Sequence, residues 1–163
     1  HPESQFDLLE FRHALEGISA YYAAMRGTEA DLSHIQQVFG KVEQVQKSGS
    51  LENEAKALLE LYVAVAEASH NLVVLHLVRS VAHLLEQNIL QNLQVLSQKP
   101  DVSKQLNKHR SAIIAALMKK EPESARLACF EHLSFIEEAL LQLGQEDSRI
   151  QRSLRRIQPK QDR

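Results

Sequence analysis

Phe6, Leu9, Leu15, Ile18, Tyr22 and Met25 recur at the three- and four-residue spacing of one helix face, and Gly27 follows where a left-handed helix stop is expected. Thr28-Glu29-Ala30-Asp31 then has the form of an N-cap with an acidic third position. Leu32, Ile35, Val38, Phe39, Val42 and Val45 hold the next face as far as Ser48-Gly49-Ser50. A third helix is predicted from Leu51 to about Ser69. Beyond His70-Asn71 a fourth runs through "LVVLHLVRSVAHLLEQNILQNLQVLSQ", where apolar residues exceed one narrow stripe, the mark of a central helix. Pro100-Asp101 breaks the pattern, a helix follows from about Ser103 to Lys119, and Glu121-Pro122 opens a last one to Gly144, with Pro at its first position. The pattern predicts an all-α fold, an antiparallel bundle of six or seven helices of roughly 15 to 27 residues joined by short turns.

Composition agrees with that reading. Five Gly and four Pro, with few aromatics and abundant Leu, Ala, Gln, Glu and Lys, favour helix over strand. At 163 residues the chain suits one core, and no repeat or composition shift marks a second domain, so positions 1–163 read as a single domain.

Nineteen Lys and Arg against twenty-one Asp and Glu give a formal charge of −2, without the positive field that draws phosphate backbones. The tail is locally different, with six basic residues between Arg149 and Arg163 against Asp162 alone. It reads as a solvated helix end. A lone Cys129 in a helical pattern suits a reducing compartment, and no apolar run approaches the roughly 18 residues of a membrane span, so a cytoplasmic protein is expected. The start at His1-Pro2 suggests that further chain precedes it. No GxxxxGK[ST], GxGxxG, GxSxG, CxxC or HExxH motif is present, which favours a binding module over an enzyme.

Four phrases carry a family resemblance: "LLEFRHALEGISAYYAA", "VAEASHN", "KHRSAIIAALMKKEPESAR" and "CFEHLSFIEEALL". In order and spacing they resemble the FCD-type effector-binding domain of GntR-family bacterial transcription regulators, and with "RSLRR" in the tail the likeness extends over nearly the whole chain. The resemblance implies a dimerising helical sensor domain and a winged helix-turn-helix DNA-binding domain that is not in this chain. It further implies a repressor of pyruvate dehydrogenase complex genes that releases operator DNA when it binds pyruvate.

It also implies a metal site and raises a difficulty with it. FCD domains commonly hold a divalent ion with an Asp and a His one helical turn apart and two further His from later helices. Aligned on Asn71, the Asp position falls at Leu58 and the first His position at Tyr62, while the later two are present as His109 and His132. Two neutral imidazoles leave a partial site for zinc or a similar ion, which usually takes three or four protein donors. The expected alternative is a pocket that binds a small carboxylate directly. Arg12 matches an Arg that the family directs into the cavity, and its planar fork suits a carboxylate. Tyr62, His109 and His132 supply further donors.

Other readings remain open at this stage. Arg12 and Glu16 are spaced for a solvated i,i+4 ion pair, and helix His are often satisfied core residues. A metal-dependent regulator of another short organic acid, or a helical metal-binding bundle using His109 and His132 with Glu131 or Glu137, is a rival, as is a helical adaptor without a polar cavity. His70 is expected at a turn and His76 and His83 at a packed face or subunit contact. His1, His13 and His34 read as exposed, Cys129 as ordinary core, and Asn88 and Asn92 as possible cavity residues.

Overall fold

The computed structural model describes residues 2–157, which form seven helices: α1 (Pro2–Arg26), α2 (Glu29–Ser48), α3 (Leu51–Ala68), α4 (Leu72–Ser80), α5 (Ala82–Leu96), α6 (Pro100–Met118) and α7 (Pro122–Ile157). No strand occurs among the described residues. The fold class is the expected one.

Helix starts follow their local chemistry. At α2 the Thr28 hydroxyl accepts from Asp31 N at 3.1 Å, and Thr28 N donates back to the Asp31 carboxylate at 2.9 Å, a reciprocal box. Ser50 caps α3, and Asn71 caps α4 by accepting from Val73 N and Val74 N at 3.0 and 3.1 Å. His70 takes a left-handed backbone, φ 51°, and its ring meets Asp31 at 2.6 Å, so the break before Asn71 also ties α2 to the start of α4.

Four boundary details differ from the expectation. The long fourth helix is two, parted at Val81 (φ −105°, ψ 11°). No Gly or Pro marks the place. Ser80 Oγ donates to His76 O at 2.7 Å one turn back, a contact that bends helices. Gly27 is not left-handed: its value lies in close approach, since a Cβ there would stand 2.5 Å from Ala23 O. The left-handed stop is at Gly49, φ 79°. The sixth helix begins at Pro100 itself, whose ring is preset for a first helical position. The last helix continues through Gly144 to Ile157, because one interior glycine costs only about 1 kcal/mol against the helix on either side.

α3 sits at the centre and packs on α1, α2, α4 and α5, with α7 laid along α1 and α6. Its small and branched residues Ala55, Leu58, Leu61, Ala64, Val65 and Ala68 lie in the main core. A second cluster joins Leu9 of α1 to Leu96, Leu106, Leu133 and Ile136. A third joins Leu15 and Ala66 to Val74, Val78 and Leu85. Between the three clusters the apolar repeats of four helices are each interrupted by polar side chains, and there the site forms.

Candidate functional site

The polar residues occupy positions that periodicity assigns to the core. Arg12 lies between Leu9 and Leu15 on α1, Arg110 between Leu106 and Ile114 on α6, His132 between Cys129 and Leu133 on α7, and Asn88 beside Ile89 on α5. All four are buried. Burial of such groups is costly unless they are paired, so their contacts define what the interior can do.

Arg12 is fully engaged. Its Nε and Nη2 donate to the two oxygens of Glu16 at 2.6 and 3.4 Å, Nη1 donates to Asn88 Oδ1 at 3.1 Å, and Nη2 also donates to the Tyr62 hydroxyl at 3.2 Å. Its carbon centre lies 5.5 Å from the Tyr62 ring centroid. Burial works against its charge, but Glu16 and Tyr62 outweigh that and hold the guanidinium more firmly protonated than usual. The ion pair with Glu16 therefore exists at the expected spacing, though it is buried where a solvated pair was the plain alternative. Asn88 extends the network, accepting from Asn92 at 3.3 Å and donating to Gln5 at 2.6 Å.

Arg110 is differently placed. Its Nη1 donates to Asn107 Oδ1 at 3.2 Å and stands 4.0 Å from the Glu54 carboxylate, while its buried Nε meets no protein acceptor. Burial weakens its charge, and the nearby Arg12 adds to this, only partly offset by Tyr62 and Glu54. Both ring nitrogens of His132 are buried without a protein partner. Burial, then Arg110, Arg12 and His109, hold this imidazole neutral, well below its ordinary range.

Arg110 and His132, with Tyr62 and Glu16, are among the residues around one mostly apolar cavity of about 40 Å³, whose walls include Leu61, Val65, Val78, Leu85, Ile113 and Ile114. At roughly 10–15 Å³ per water it has room for about three waters. Arg12 and His109 stand one layer behind the lining. Arg12 steadies Tyr62, and the His109 ring packs edge-on to His132 with centroids 5.9 Å apart. Cys129 also lines the cavity, its thiol pushed up by burial and then by Glu16. Burial, with Glu16, likewise raises the Tyr62 phenol, which stays a neutral hydroxyl.

The donors do not fit a divalent ion. Leu58 is core, Tyr62 is a neutral phenol turned to Arg12, and no group of three His, Cys, Asp or Glu gathers among the described residues. His109 and His132 alone bring two neutral nitrogens and no charge. Of the other His, His34, His70, His76 and His83 are exposed. His13 is half-buried against Phe130, with ring centroids 5.3 Å apart, and not free on the surface as expected. His1 lies outside the described residues. Arg152, Ser153 and Leu154 in the tail are exposed, and the remaining basic tail side chains lie outside the described residues.

Sequence reasoning missed Arg110. Its signal was present: Leu106, Arg110, Ile114 and Leu117 form one α6 face, so a cation stood in the core repeat beside the His109 that drew attention.

A helix bundle enclosing a small, mostly apolar cavity with a few converging polar groups is the architecture of a pocket for a small molecule. Residues 7–135 match the FCD domain family, and the chain belongs to it. It is 32% identical to the putative L-lactate dehydrogenase operon regulatory protein of Escherichia coli K12 over 94% of this chain and 58% of that protein. It is 28% identical to the Glc operon transcriptional activator of the same strain, over 93% of this chain and 61% of that one. The HTH-type transcriptional regulator LutR of Bacillus subtilis is 31% identical over 82% of this chain and 60% of its own length. These homologues are regulators of transcription, not enzymes, and the chain spans less than two thirds of each. Among solved structures, a Streptococcus agalactiae GntR protein shares the fold with a TM-score of 0.65 at 23% identity, covering 83% of this chain and 58% of that one. No helix among the described residues is long and apolar enough to cross a membrane.

Proposed function

We propose that this chain is the effector-sensing, dimerising part of a cytoplasmic transcription repressor and that the cavity holds a short carboxylate, with pyruvate the first candidate. The observation that carries this reading is His132: a fully buried imidazole with two unpartnered nitrogens, on the lining of a small cavity that Tyr62 also lines. Such a group requires a polar occupant. The proposed site has two layers. Tyr62 and His132 donate to the ligand, while Arg12 and His109 hold them in place.

Operator recognition belongs to a winged helix-turn-helix outside this chain, in keeping with the −2 charge here. The ligand acts by preferring one arrangement of the bundle, and it shifts the balance only by that difference in affinity. Pyruvate dehydrogenase complex genes remain the proposed target. A second reading, a regulator responding to L-lactate, is favoured by the name of the relative at 32% identity. The two acids differ by one carbonyl against one hydroxyl, so calorimetric titration with pyruvate and L-lactate, before and after chelator, tests both. Saturable binding of either acid supports the site, and the tighter of the two names the effector.

Exposed apolar residues support the homodimer. Leu8, Phe11, Leu15, Ile18, Tyr22 and Met25 form a heptad-like seam on α1. Leu15 from this seam packs on Val74 and Val78, whereas Phe11 and Ile18 stay exposed, as do Leu72, Val73, Leu77 and Leu84 on α4 and α5. That face is the proposed contact between two copies.

A further inference from the structure

The two buried arginines differ in what they have left to offer. Every nitrogen of Arg12 donates to a protein acceptor, and its fork is closed by the Glu16 carboxylate. Arg110 is among the residues around the cavity; it interacts with Tyr62 and Asn107, but its buried Nε has no acceptor and the Glu54 carboxylate stands 4.0 Å away. The other polar residues around it are Tyr62 and Ser19 with neutral hydroxyls, the neutral imidazole of His132, the Cys129 thiol, and Glu16, whose carboxylate is already paired with Arg12. On this geometry we infer that Arg110 is the anchor for the ligand's carboxylate and that the site takes a monocarboxylate with a compact apolar end. The inference rests on the small-carboxylate reading above and adds a residue and a selectivity to it.

The selectivity follows from charge and walls. A carboxylate on Arg110 gains a charge-assisted bond and completes the Nε donor. A second carboxylate on the same ligand would meet no second uncompensated cation around a cavity of about 40 Å³, since Arg12 is already closed by Glu16. A carboxylate left without a partner where water is scarce carries a large desolvation cost. The apolar walls on α3, α5 and α6 instead suit a methyl group.

Titration of the folded chain with pyruvate, L-lactate and malonate tests this, comparing the unaltered protein with Arg110→Met, Arg110→Lys and, as a surface control, Arg126→Met. Pyruvate or lactate is expected to bind and malonate at least about tenfold more weakly. Arg110→Met should weaken the monocarboxylate by about thirtyfold to a hundredfold, the loss of a charge-assisted pair. Arg110→Lys should recover part of it. Unchanged affinity in Arg110→Met overturns the assignment while leaving the pocket reading intact, and malonate binding as tightly as pyruvate overturns the selectivity. No binding of any short carboxylate to the unaltered chain overturns the pocket reading itself. Should Arg110→Met fail to fold, the Nε–H resonances of Arg110 and Arg12 in arginine-labelled unaltered protein decide: a ligand-dependent shift at Arg110 supports the anchor, and a shift confined to Arg12 refutes it.

Discussion

Glu16 Oε2 lies 2.6 Å from Arg12 Nε one turn along α1, so the first helix carries into the core both a guanidinium and the carboxylate that neutralises it. Removing one member strands the other charge. Glu16→Ala is expected to destabilise the fold by roughly 3 kcal/mol, the usual result of breaking a buried pair from one side. Urea unfolding measures this. Added acetate should restore part of the loss by occupying the vacated fork, and an unchanged midpoint would show that water already compensates Arg12.

His132 makes stability depend on pH. Its folded form is held neutral by burial and by Arg110, Arg12 and His109, so below the ordinary value of 6.5 the unfolded chain binds the extra proton first. The contribution is complete above about pH 6.5 and declines as pH falls below it. Asp31, whose carboxyl is lowered by Thr28 N–H and His70 despite burial, keeps its contribution above its ordinary 3.8 and loses it only below, a separate window. Melting temperatures from pH 8 to 5 should fall in the unaltered protein and fall less in His132→Gln, with His109, also lowered by burial, supplying the remaining slope. Parallel curves would remove His132 as the cause.

Chelation is expected to leave monocarboxylate affinity unchanged within about twofold, since two neutral imidazoles make a poor cage. Leu58→Asp with Tyr62→His supplies the two donors that the family resemblance places at these positions. That double variant should bind zinc and melt higher in its presence. A zinc response already present in the unaltered chain would reverse the conclusion drawn from the donor set.

Ile18→Lys with Leu77→Lys should convert dimers to monomers in sedimentation experiments, because both residues are exposed on the proposed face of α1 and α4. Dimers that persist would move the contact elsewhere.

Asn71→Ala removes the only side-chain cap on α4 and should cost about 1 kcal/mol in thermal or urea unfolding. Since α4 carries Val74 and Val78 into the cluster around Leu15, amide exchange should rise first in that helix. Uniform loosening of the whole bundle would instead show that α4 does not open on its own.

The sequence by itself determined the helical class, the cap at Thr28 and most helix positions, because period and capping are local properties of neighbouring residues, while the caps at Ser50 and Asn71 were seen only in the structure. It also held the four polar interruptions of the apolar repeats, although only Arg12 and His132 were singled out as ligand residues and Asn88 as a cavity candidate. What it left open depended on contacts between residues distant in the chain. The bend at Val81 has no Gly or Pro to announce it. Gly27 matters through Ala23 O and not through its φ. Arg12 and Arg110 look alike in one dimension. Glu16 stands one turn along α1 itself, but only the packing of α1 against α3 and α5 adds Tyr62 and Asn88 to the first, and only the setting of α6 against α7, α1 and α2 leaves the second with a buried Nε that no acceptor meets. A side chain's partners are fixed by tertiary distance, and spacing along one helix does not contain it.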